Sequence, residues 1–182
     1  MAMAYPSFEE WKESLSPEVR ARVEQQIAEL RQLGDHEPEQ TVRSEVSENF
    51  PQRAKFLFLR KLWSDAIEPW RLHVTNWVKQ HMNSEKEDPG GYFADAGAAI
   101  HRMKAAGISD EDLASLARMV AYETAFSIAY ALDYGCDDKA KHMPGWCLYE
   151  TDPSGNSTGR DMSALHESIL SADPSGLEGR VR

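Results

Sequence analysis

The sequence predicts a mainly α fold, a multi-helix bundle of about five to seven helices with a small C-terminal β-hairpin. Three observations carry this. Helix-start signals recur along the chain, apolar residues follow them at helical spacing, and after Gly135 the pattern turns to alternation and tight-turn tetrads. The chain has 182 residues, 41% of them hydrophobic, which suits a single domain over 1–182 with one sizeable core.

Ser7-Phe-Glu-Glu10 is a capping-box pattern that opens a short helix through Glu13. Ser16-Pro17-Glu18 is a second start: a capping Ser, Pro at the first helical position, and an acid near the positive end. Val19, Val23, Ile27 and Leu30 then form one apolar stripe, and Gly34 stops the helix. Val42, Val46 and Phe50 make a short amphipathic set ended by Pro51.

Residues 52–82 hold the strongest periodicity. Phe56, Trp63, Trp70 and Trp77 recur every seven residues, and Pro69 predicts a break before it with a second helix from Pro69 to about Met82. Residues 83–92 read as an internal loop. A helix from about Phe93 to Ala106 is closed by Gly107, and Ser109-Asp-Glu-Asp112 opens a long apolar helix to about Asp133. That helix is apolar nearly all round, which predicts the buried centre of a bundle.

In the C-terminal part, Trp146 to Thr151 alternates like a strand, Asp152-Pro-Ser-Gly155 fits a type I turn, and Asn156 to Arg160 returns as a second strand. Asp161 can cap a last helix from about Met162 to Leu170, with Leu165 and Ile169 facing in. Asp173-Pro-Ser-Gly176 repeats the turn tetrad, and 177–182 is expected to fray. The expected core comprises Val23, Ile27, Leu30, Phe56, Leu59, Trp63, Trp70, Trp77, Leu116, Val120, Phe126 and Ile128.

Net charge is −10, from 30 acids and 20 bases. An acidic surface disfavours nucleic acid and suits a basic protein partner. Residues 51–82 are the exception, with six bases against two acids, and can pair with acidic neighbours inside the fold. The Trp stripe reads as core, or as the seam of a homodimer. No apolar run reaches a membrane span, and the N-terminus lacks a signal-peptide pattern, so a cytoplasmic location is expected. Cys136 and Cys147 are too few for a disulfide scaffold and read as thiols. With His142, Asp137 and Asp138 they offer metal-capable atoms, but without the paired spacing of a zinc site, so no metal is assigned.

Two constellations remain. Glu123 lies within the most apolar helix, with Ser127 and Tyr130 on its face, and a buried carboxylate there can serve as acid or base. Arg160, Asp161, His166 and Glu167 can line a binding site, although His166 and Glu167, being adjacent, point about 100° apart on a helix. No phosphate-cradling glycine loop, G-x-G-x-x-G, H-E-x-x-H or G-x-S-x-G occurs, so no cofactor is assigned and the common enzyme signatures are missing.

The string Gly159-Arg-Asp-x4-Leu165-His-Glu-x5-Ala-Asp-Pro-Ser-Gly-x-Glu-Gly-Arg180 resembles the end of a group of uncharacterised bacterial proteins. The resemblance spans about an eighth of the chain and implies a bacterial source, with no activity or catalytic residue attached. Two function classes follow from the residues. The first is an acidic protein-binding module, immunity or antitoxin-like, that masks a partner. The second is a small-molecule enzyme or sensor with an interhelical pocket around Glu123, Tyr130 and His166.

Overall fold

The structure, a computed structural model, describes residues 6–135 and 144–180. The fold is mainly α with a small two-stranded antiparallel hairpin near the C-terminus, as the sequence predicts. In chain order the helices are α1 (Phe8–Glu13), α2 (Pro17–Gln32), α3 (Pro38–Glu48) and α4 (Gln52–Leu62), then a π-helical turn (Trp63–Ile67). There follow α5 (Pro69–Leu72), α6 (Val74–Glu87), α7 (Ala94–Ala105), α8 (Asp110–Tyr134), strands β1 (Tyr149–Thr151) and β2 (Ser157–Asp161), and α9 (Leu165–Ser168). The chain divides into two compact units, residues 1–60 with 129–182, and residues 61–128.

In the first unit the local signals act as read. Ser7 and Glu10 close a reciprocal capping box on α1. Ser16 accepts from the Val19 amide at the start of α2. Gly34, at φ 79°, ends α2: Asp35 N–H donates to the Leu30 carbonyl and Gly34 N–H to that of Arg31. This is the paired 6→1 and 5→2 closure that a left-handed residue permits. Val23, Ile27, Leu30 and Val42 are buried, with Trp11, Val19 and Phe56 packed against them. Both Asp-Pro-Ser-Gly tetrads form turns, Gly155 N–H donating to the Asp152 carbonyl and Gly176 N–H to that of Asp173. Asp173 is fully buried, and its carboxylate accepts from the amides of Ser175 and Gly179. The chain is therefore held through Gly179, and residues 181–182 lie outside the described ones.

The C-terminal helix differs from expectation. It is a single turn, α9, and Asp161 ends β2 instead of capping it. The cap is Asp133, from α8: its two carboxylate oxygens accept the backbone amides of Leu165 and His166, each at 2.9 Å. A carboxylate distant in sequence thus fills the role usually taken by the residue next to the helix.

In the second unit the aromatic stripe is broken. Trp63 is 1% exposed, but Trp70 is 37% exposed and Trp77 half-buried. The reason lies before Pro69. Its ring cannot sit beneath the carbonyl of Asp65 in an α-helix, and the chain inserts a π turn, with Glu68 N–H donating to Trp63 O. The extra residue puts Trp70 out of phase with Trp63. A second break at His73 separates α5 from α6. The expected loop at 83–92 begins later, because Asn83 to Glu87 continue α6 until Asp88, which precedes Pro89.

Helix α8 is not a buried centre. Its buried side is narrow and small-residued, with Leu113, Ala114, Ala125 and Ala129. Leu116, Val120 and Ile128, expected in the core, are each more than half exposed. Glu123 is likewise exposed, not buried. Small residues also set the approach of α6 and α7: a Cβ on Gly97 would stand 2.4 Å from the His81 carbonyl oxygen and 2.6 Å from Glu85 Cβ.

That approach fixes the sign of a substitution. In an exposed helix Gly97→Ala would gain about 1 kcal/mol of helix propensity. Here the methyl forces the helices apart, and we expect a net loss of ~1–3 kcal/mol in urea unfolding. A variant more stable than the parent would show that the two backbones do not meet.

Candidate functional site

The polar residues singled out in the sequence separate into distinct settings. Arg160 lies on β2, where its guanidinium bridges Glu150 at 2.6 and 2.8 Å and Glu45 at 3.4 Å. Glu45 also accepts from the Arg53 backbone amide and side chain, and Thr158 donates to Glu150. Burial alone would raise the Glu150 carboxyl, but the Arg160 and Thr158 hydrogen bonds outweigh it and hold it below its ordinary value. Every member of this network has a partner, so Arg160 supports the fold. Asp161 and Glu167 are exposed.

Tyr130 and His166 do meet. Their rings are 5.1 Å apart, edge to face, and Tyr134 stacks on Tyr130 at 4.3 Å. His166 Nδ1 lies 2.5 Å from Asp133 Oδ2, so the carboxylate that caps α9 also orients the imidazole. This is the orienting half of an acid–base device. Glu123, the third member proposed from sequence, is exposed on the second unit, where α8 turns it to water. Cys136, Asp137, Asp138 and His142 lie outside the described residues, and Cys147 is an exposed thiol.

A cavity of about 360 Å³ in the first unit escaped the sequence reading. Lys55, on α4, lines it and is 8% exposed. Its ammonium lies over the Phe50 ring at 4.9 Å. Burial pushes it below the ordinary lysine range, while Asp133, Glu167 and Glu48 pull it back more weakly.

An apolar groove of about 470 Å³ lies in the second unit. One wall is the α8 stripe Leu116, Val120, Thr124 and Ile128, four residues apart on one face. Trp70 and Trp77 line the groove as a T-shaped pair 5.5 Å apart. Ile100 of α7 and Leu113 contribute too. Sequence reading assigned Trp70, Trp77, Leu116, Val120 and Ile128 to the core. The signal was present all the same: α8 has more apolar circumference than its own neighbours can cover. The acids of α8 are Asp110, Glu111, Asp112, Glu123 and Asp133, and its one base, Arg118, is taken by Glu68 at 2.8 Å.

The Arg160 network gives a pH test. A carboxyl held below its ordinary value binds fewer protons folded than unfolded, so its stabilisation is complete above about pH 4.5 and is lost as pH falls through the lower folded value. Arg160→Met should therefore cost about 3 kcal/mol at neutral pH by leaving Glu150 without its cation, while Glu45 keeps Arg53. The gap to the parent, measured by urea titration, should shrink below pH 4.5. A gap independent of pH would show that Arg160 acts by packing alone.

No protein family, no curated protein and no solved structure matches this chain.

Proposed function

We propose that this protein is a protein-binding module that seats an amphipathic, basic-flanked helix of its partner in the apolar groove beside α8, masking it as an immunity or antitoxin-like protein does. The observation that carries this reading is the groove itself. It presents a continuous apolar floor with an indole pair at its wall, and such rigid aromatics are the usual anchors of interfaces. Charge selects the occupant. The acids along α8 and the net charge of −10 favour Lys and Arg at the ends of the docked helix. Among the described residues no helix is long and apolar enough to cross a membrane, so the groove is not explained as part of a span.

A synthetic Leu/Lys amphipathic peptide tests the proposal against a scrambled peptide of the same composition. The ordered peptide should bind with micromolar affinity, shift the fluorescence of Trp70 and Trp77 to the blue, and associate more slowly as salt rises. Val120→Glu and Ile128→Glu should leave the melting temperature nearly unchanged, because both sites are exposed, and weaken binding about tenfold each. Equal binding of ordered and scrambled peptides, or of parent and variants, would end the proposal. So would light scattering that finds a dimer which those variants convert to a monomer, since the groove would then be filled by a second copy.

A further inference from the structure

Lys55 is the one buried ammonium among the described residues, and Asp133, Glu167 and Glu48 act on it only weakly, without touching it. Among the described residues it makes no ion pair and no hydrogen bond; its contact is the Phe50 ring. Buried charges are ordinarily paired, so an ammonium lining a cavity points to an anionic group brought from outside. The rest of the cavity narrows the chemistry. Thr41 Oγ1 donates to Asp35, Ser168 Oγ to the Ala164 carbonyl, Ser171 Oγ to the Ser168 carbonyl, and Gln52 Nε2 to Ser44. The three hydroxyl protons are committed within the fold, their oxygens keep acceptor capacity, and Gln52 Nε2 keeps a second N–H. Asp35, Glu37 and Glu178 add carboxylates to its lining, and Glu37 has no side-chain partner among the described residues. One cationic donor is thus set against several acceptors. A bare anion would be repelled by that acidic lining, and a bare cation by Lys55.

We propose that the cavity beside Lys55 binds a small zwitterion, a carboxylate carrying an amine as in a free amino acid, with Lys55 as the carboxylate's partner and the acidic lining as the amine's. A cavity of about 360 Å³ has room for such a molecule. Gly176 lines the same space at φ 68°, and a Cβ there would stand 3.0 Å from the His36 ring, so this wall is closely fitted. The inference is independent of the docking groove, whose residues it does not use.

The test is a thermal-shift and calorimetric panel of the free L-amino acids on the full chain, with acetate, methylammonium and inorganic phosphate as single-charge controls. At least one amino acid should raise the melting temperature at millimolar concentration, with the three controls at least tenfold weaker. Lys55→Met should stay folded, since it replaces a buried charge with an apolar chain of similar length, and should lose the amino-acid response by tenfold or more. Glu37→Gln, at an exposed position, should weaken binding of the amino acid while leaving acetate unchanged. No response to any amino acid, an equal response in Lys55→Met, or acetate or phosphate binding as tightly as the amino acid would each overturn the proposal.

Discussion

Pro69 is the constraint on which the second unit turns. It lacks the N–H that an α-helix would aim at the Asp65 carbonyl, and its ring occupies the space where that carbonyl would point. The π turn from Trp63 to Ile67 absorbs the conflict by spacing its bonds one residue wider. The consequence is a division of labour within one heptad stripe. Trp63 is buried, with the Arg118 guanidinium over its ring at 5.4 Å and Tyr122 at 6.0 Å. Trp70 and Trp77 fall on another face. The break at His73 leaves the Trp70 carbonyl at the end of α5, where it accepts the Trp77 indole N–H at 2.8 Å. That bond fixes the pair of rings as a rigid wall.

What was legible in the sequence was what short-range chemistry decides. The capping boxes at Ser7 and Ser109, the glycine closures at Gly34 and Gly107, and both Asp-Pro-Ser-Gly turns depend on residues within five of one another. The core positions Val23, Ile27 and Leu30 were legible because α2 has one apolar side only. Three things were not. Asp133 as the cap of α9 pairs groups over thirty residues apart, which no local pattern records. The faces of α8 could not be ranked, because an apolar circumference says that burial is possible and not which side receives it. Lys55 sits among bases in the sequence and looks like any surface lysine of an amphipathic helix; only its place against Phe50 and the cavity distinguishes it.

The charge pattern makes the same point energetically. The basic segment pairs within the fold, in one case with an acidic neighbour and in two with its own acids. Arg53 meets Glu45, Lys61 meets Asp65, Arg71 meets Glu68, and Arg60 donates to the Leu33 carbonyl at the end of α2. Exposed pairs of this kind contribute up to about 1 kcal/mol each, so Lys61–Asp65 adds little. The half-buried Arg53–Glu45–Arg160–Glu150 chain matters more, because removing one member strands the others away from water. Against this background the remaining bases are Lys79, which is exposed and needs no partner, and Lys55, which is not exposed. Lys55 is the base of this segment that is buried without an ion pair or hydrogen bond among the described residues.

The apolar groove withstands the simplest counter-argument, that scattered surface leucines and valines need no explanation. Leu116, Val120 and Ile128 are not scattered: they recur at fixed helical intervals and adjoin a pair of ordered indoles. Nor do they serve their own helix. The buried contacts of α8 in the second unit come from Leu113, Ala114 and Ala125, of which Leu113 and Ala125 form the groove's inner edge. Glu, Lys or Gln at 116, 120 and 128 would keep those contacts and match or exceed the helix propensity of valine and isoleucine. The exposed part of that stripe is the apolar surface that the proposed docking of a partner helix would bury.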